Sequence, residues 1–339
     1  MIDVSFLPNG NRARALDRRM RCSLADSLDY IGTEISGVFS FDQKALTHLV
    51  NSLCQGARYP PSTFGLYAEL VPALTDGHTT TAEQLLAELL AERPQTATSQ
   101  LLSLDDPLIA LQVPRYLRLM DSDPVTRFTM KPPPAPAADA FKRRFHRARD
   151  LLRAAIPELA AEFDALVSQV ILVAGDHTAE YQFDGGSCYM LWGGLFLNAE
   201  SHPNDVALAE VLAHESAHLL LFGYACNEAL VNNDDATLYT SPLRDDPRPM
   251  DGIYHATYVS ARMHWAMSQL LDSGLLDEPA RHFAETARQS DLENFIAGHE
   301  IVARHGDLTA TGRAVMAAAK SYIDLVSHGH RAHPPVRER

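Results

Sequence analysis

The stretch VLAHESAHLLLFG, residues 211–223, sets His214, Glu215 and His218 into a run otherwise built from Leu, Ala, Val, Ser, Phe and Gly. Upstream, Asn204 or Asp205 can accept the free N–H groups of a first turn, and Gly223 suits a left-handed stop, so the spacing predicts a helix over 205–222. At about 3.6 residues per turn, positions 214 and 218 lie on one side of that helix and both imidazoles can reach one cation, while Glu215 points in an adjacent direction. Two neutral imidazoles and a divalent ion satisfy each other, which removes the desolvation cost that unpaired polar groups carry in an apolar setting. With 15 His in 339 residues, an accidental HExxH is expected on the order of a few per cent of the time in a chain of this composition.

A metal site needs a third ligand. The metzincin continuation requires Gly at 221 and His at 224, where this chain has Leu221 and Tyr224. Glu228 would serve a gluzincin arrangement, yet it follows His218 so closely that little chain remains for a return. The other candidate is His255, in SPLRDDPRPMDGIYHATYVSAR, residues 241–262. Pro242, Pro247 and Pro249 exclude a long helix before residue 250, and the apolar spacing after them predicts one starting there. Seven residues on, Arg262 shares the face of His255 about 10 Å along the axis, where a guanidinium could hold the far acidic end of a metal-chelating cosubstrate. Arg244 and Arg248 compete with Arg262 for that role.

The rest of the chain reads as predominantly helical α+β: a metallopeptidase-like helix carrying HExxH beside a small β-sheet, with an α-helical N-terminal region. Helical spacing covers 13–31, 42–56 and 80–92, the last opened by Thr80 and Glu83 in capping-box register. KPPPAPAAD, residues 131–139, reads as an extended connector. The domains expected are therefore an N-terminal region over 1–130, suited to recognising a leader peptide, a metal-binding catalytic domain over 140–327, and an irregular tail over 328–339. SQVILVAG (168–175) and CYMLWGGLFLN (188–198) read as strands, with a Gly pair marking a bulge or a close backbone approach. Further helices are expected near 250–272, 291–305 and 309–326, and the basic run Lys142–Arg149 as a solvated face.

A formal charge of −14 argues against nucleic acid and anionic membranes as partners and suits a basic peptide. Neither an apolar leader core nor a run of about 18 apolar residues is present, so a cytoplasmic chain is expected. Cys22, Cys54, Cys188 and Cys226 are too scattered for a disulfide framework and read as reduced, mostly buried thiols.

LAHESAH, then SPLRDDPRPMDGIYHATYVSAR, with GGLFLN before and LTATG near the end, resembles the HExxH-motif peptide-modification proteins encoded beside ribosomally made peptides. The likeness spans roughly residues 140–326 and peaks in the first two blocks. It implies an iron(II)- and 2-oxoglutarate-dependent β-hydroxylase of a precursor peptide, using O2, with His214, His218 and His255 on the metal and an Arg of the second block on the cosubstrate. Glu215 would then orient a ligand or bound water. HExxH alone also fits a zinc peptidase, in which Glu215 is the general base and GGLFLN an edge strand that aligns an extended peptide. A metal-stabilised binding scaffold, with a closed four-ligand site, is the non-enzymatic alternative.

Overall fold

The computed structural model describes residues 3–95, 99–121, 129–176, 178, 183–243 and 246–331, with only the backbone for 328–331. The N-terminal half gives α1 (Gly10–Glu34), α2 (Gln43–Cys54), α3 (Pro61–Thr75), α4 (Thr79–Ala91), β1 (Gln100–Ser103), α5 (Val113–Met120), α6 (Ala135–Ala155) and α7 (Pro157–Leu166). There follow β2 (Gln169–Val173), β3 (Gly185–Gly186), β4 (Gly194–Asn198), α8 (Asp205–Tyr224), β5 (Leu238–Tyr239), β6 (Arg248–Pro249), α9 (Met250–Asp272), α10 (Glu278–His305) and α11 (Ala310–Arg331). The fold is thus predominantly helical with a small mixed sheet, in the order β1–β2–β4–β3.

The apolar runs VILV and LFL become strands because each is buried on both faces. Successive side chains alternate: Val170, Leu172, Leu195 and Leu197 enter the main helical core, while Ile171, Val173 and Phe196 enter a smaller one with Tyr116 and Leu191. β2 pairs parallel with β1 and β4, and β3 runs antiparallel to β4. GGLFLN is therefore an inner strand, and the edge beside the HExxH helix belongs to β3, contrary to expectation. The Gly pair marks a close approach: Gly193 has φ +82°, and a Cβ there would sit 2.7 Å from the Ser168 hydroxyl.

The proline run leads directly into α6. Pro134 caps α6, and Lys131 pairs with Ala174 at the end of β2, because prolines suit a first helical turn that leaves its N–H groups unbonded anyway. One apolar cluster runs from Phe6 through α1 and α7 to α8, α9 and α11, so residues 1–130 share the core of the segment expected to form a separate catalytic domain. Within it, Glu162 of α7 accepts from Arg12 of α1 at 2.8 Å and from Arg262 of α9, tying three helices together.

Local signals held unevenly. Asn204 caps α8 by accepting from the Ala207 N–H at 2.8 Å, as read. Gly223 does not stop the helix, which runs on to Tyr224; a Cβ at 223 would meet Leu16 at 3.1 Å, so the glycine admits α1 instead. The Thr80 capping box is absent, with α4 starting at Thr79. Prolines 247 and 249 do precede α9. The run Lys142–Arg149 is only partly solvated: Arg149 is buried, paired with Asp164 and stacked 4.2 Å over Phe163. α11 continues to Arg331, so the expected irregular tail begins as helix; its remainder, 332–339, lies outside the described residues. Cys54 is exposed and the other three thiols half-buried. Among the described residues one helix, α8, is long and apolar enough to cross a membrane, and most of it is packed inside the fold.

Candidate metal centre

α8 and α9 pack against each other and bring the three predicted imidazoles together. His214 Nε2 lies 3.0 Å from His218 Nε2, and His218 Nδ1 lies 2.9 Å from His255 Nδ1. His214 Nδ1 contacts Met263 Sδ at 3.3 Å, and Phe222 packs on the rings of His218 and His255. Burial holds all three imidazoles neutral, pushing His214 down to about 4, with the neighbouring rings of His202 and His255 adding to it; His218 and His255 are lowered by the same desolvation.

His218 faces its two neighbours with opposite nitrogens, so the rings form a row rather than a ring around one point. Among the described residues no three His, Cys, Asp or Glu groups surround a common centre. Two tautomer sets fit the row. In one, His255 Nδ1–H donates to His218, His218 Nε2–H to His214, and His214 Nδ1–H to Met263, which satisfies every ring without an ion. In the other, His218 carries its proton on Nδ1 and donates to His255 while His214 Nε2–H donates to His218 Nε2; shifting the His214 proton to Nδ1, toward Met263, instead leaves two bare Nε2 lone pairs facing each other at 3.0 Å. That last arrangement suits a cation between them, and 3.0 Å is about the separation of two nitrogens bound roughly 2.1 Å from one ion at a right angle. The donor set thus fits a metal through His214 and His218, with His255 supporting the far edge of His218.

A cleft of about 510 Å³ opens onto His214. Its walls come from β3, from the turn before α8, and from Met263 and Phe283 of α9 and α10. Glu215 lines it too, with Oε1 3.9 Å from His214 Nε2 and the Ser187 hydroxyl donating to Oε2 at 3.1 Å. Burial pushes its carboxyl up to about 8, against the lowering effect of Ser187. Gly185 leaves room for it, since a Cβ there would sit 3.4 Å from Oε1.

No family model matches the chain, and no curated protein does. The functional reading rests on this geometry and on the two sequence blocks.

Arg262 is not at the cleft. Its guanidinium is fully buried, pairs with Glu162 and donates to the Phe6 carbonyl at 2.7 Å, so the cosubstrate role expected of it is corrected to a structural one. Seven residues put Arg262 on the face of His255 but about two turns along, where the neighbours are α7 and the N-terminal segment. Arg248 sits on β6, two turns before His255, ion-paired to Asp246 at 2.6 Å. Arg244 lies outside the described residues. Glu228 is exposed and accepts from Thr311 at 2.6 Å, far from any ligand role.

Sequence reading missed His202, Met263 and Ser187. His202 lines the cleft with φ +58°, a conformation a non-glycine residue rarely holds, and its ring lies 3.2 Å from the Asp184 carbonyl. Its only sequence signal is a His–Pro pair just before the α8 cap.

Proposed function

We propose that the chain is an iron(II)- and 2-oxoglutarate-dependent hydroxylase acting on a β-carbon of a ribosomally synthesised precursor peptide in the cytoplasm. The observation that carries this is the pair of His214 and His218 Nε2 atoms 3.0 Å apart, with His255 against the far edge of His218 and an open cleft beside His214. The likeness of 211–223 and 241–262 to the peptide-modifying hydroxylases favours oxygenation over the other metal chemistries that imidazole supports. A closed scaffold site has no use for the cleft.

The overall reaction is peptide C–H, O2 and 2-oxoglutarate going to peptide C–OH, succinate and CO2. Bound iron, when present, supplies the redox steps. The protein's part is to hold and to shield. His214 and His218 would hold the ion, His255 fixes the ring of His218, and Met263 and Phe222 pack against the rings. Arg248, paired with Asp246 and lining neither cavity beside His214, is the described arginine of the second block left for the far carboxylate of the cosubstrate. Glu215, held by Ser187, positions a group in the cleft.

One observation favours a second reading. Glu215 stands beside His214 at the cleft wall, where a zinc peptidase would keep its general base. The two separate in one experiment on the full chain. Loaded anaerobically with iron(II), then given 2-oxoglutarate, O2 and a precursor peptide, the hydroxylase yields succinate and a peptide one oxygen heavier. Peptide cleavage under zinc, lost in Glu215→Gln with metal retained, would overturn that in favour of the peptidase.

A further inference from the structure

One turn before His214 on α8 stands Glu210, which lines the His214 cleft and also a second cavity of about 390 Å³. Met263 and Phe283 line both, so the two spaces adjoin. The far wall of the second is α10, whose buried stripe reads Ala284, Asp291, Phe295, Gly298 and Val302. Asp291 occupies a position on that stripe that a leucine would fill. It is 3% exposed, it lines the cavity, and its Oδ2 has no hydrogen-bond partner. Neither Asp291 nor Glu210 is paired with a Lys or Arg among the described residues.

Two carboxyls facing one cavity, one of them buried, are costly without a cation, since buried acids are ordinarily paired. Burial lifts Glu210 to about 7, and burial together with the Glu210 charge lifts Asp291 to about 9. A cation between them would relieve both effects. The remaining walls say what kind. Leu243, Met263 and Ala287 are apolar, Phe283 offers an aromatic face, and Thr286, Ser290 and Asn294 are polar, a mixture that suits an alkyl stem ending in a guanidinium or ammonium.

We propose that Glu210 and Asp291 form a subsite for an arginine or lysine side chain of the peptide whose neighbouring residue reaches the histidine row. The subsite gives the enzyme a preference for a basic residue close to the modified position. This rests on the peptide-substrate reading above, but its test needs neither metal nor turnover. The failure of one is therefore distinguishable from the failure of the other.

The experiment is calorimetric or NMR titration of the full-length, metal-free protein with Nα-acetyl-arginine methylamide and with its uncharged citrulline counterpart. The arginine probe should bind about tenfold more tightly than citrulline, as a charge-assisted pair to two acids implies. Asp291→Asn and Glu210→Gln should each bring the two probes close together, and the half-exposed Glu210 gives a variant that folds even if the Asp291 one does not. Equal binding of the two probes to the wild type, or an arginine preference that survives both substitutions, would overturn the proposal. So would displacement of the arginine probe by calcium at micromolar concentration, which would make the pair a metal site.

Discussion

Arg262 and His255 share a face of α9 and yet serve different neighbours, and the difference is measurable. Removing the Arg262 side chain leaves Glu162 buried with Arg12 as its remaining cation. Arg262→Ala should therefore lower the unfolding free energy by about 3–5 kcal/mol in denaturant titration, with metal affinity in the surviving folded fraction unchanged. Arg248→Ala should do the reverse, leaving stability near the wild-type value and weakening 2-oxoglutarate binding by about tenfold or more, read by calorimetry on the iron(II)-loaded protein under nitrogen. His214, Glu215, His218 and His255 were legible in the sequence because residue type and helical period name both the chemistry and the face. Arg262 was misread because period gives direction only, and what lies in that direction is decided by α7 and the N-terminal segment, which are distant in sequence. Glu210 and Asp291 carried no motif at all; they look like ordinary surface acids until the packing of α10 on α8 and α9 buries one of them.

At the scale of elements, long periodic segments and proline stops were legible, and so α8 and α9 appear where the pattern puts them. The errors fall where a local signal has two uses. A glycine at a helix end suits a left-handed stop, but Gly223 serves close packing against Leu16. A proline run suits a spacer, but it also suits the first turn of α6. Gly298 shows the packing use most clearly, since a Cβ there would lie 2.2 Å from Thr257 Oγ1 and 3.0 Å from Pro242. Gly298→Ala should push α10 off α9 and cost about 1–3 kcal/mol, seen as a lowered Tm in a thermal scan. Because α9 carries His255 and α10 walls the cleft, the same variant should also loosen metal binding. An unchanged Tm would mean the two helices can separate freely.

For the molecule as a whole, the buried acids and histidines give stability opposite slopes with pH. The histidine row is held below its ordinary range, so the folded chain binds fewer protons than the unfolded chain there and its contribution to stability rises from about pH 4 to 6.5. Glu210, Glu215 and Asp291, raised to about 7, 8 and 9, keep protons that the unfolded chain loses near pH 4, so their contribution falls from there on, offsetting the histidine gain up to about pH 6.5 and lowering stability beyond it until about pH 9. Denaturant midpoints of the metal-free protein should therefore be nearly level from about pH 4 to 6.5 and fall towards pH 9, and Asp291→Asn should flatten the alkaline limb. Metal binding is the most direct measurement of all. The full chain is incubated anaerobically with iron(II), desalted and assayed for metal alongside His214→Ala, His218→Ala and His255→Ala. Binding of about one ion per chain, lost in the first two variants and weakened in the third, is the expected result. A wild type that retains no metal, or a His218→Ala chain that retains as much as the wild type, would contradict the histidine centre.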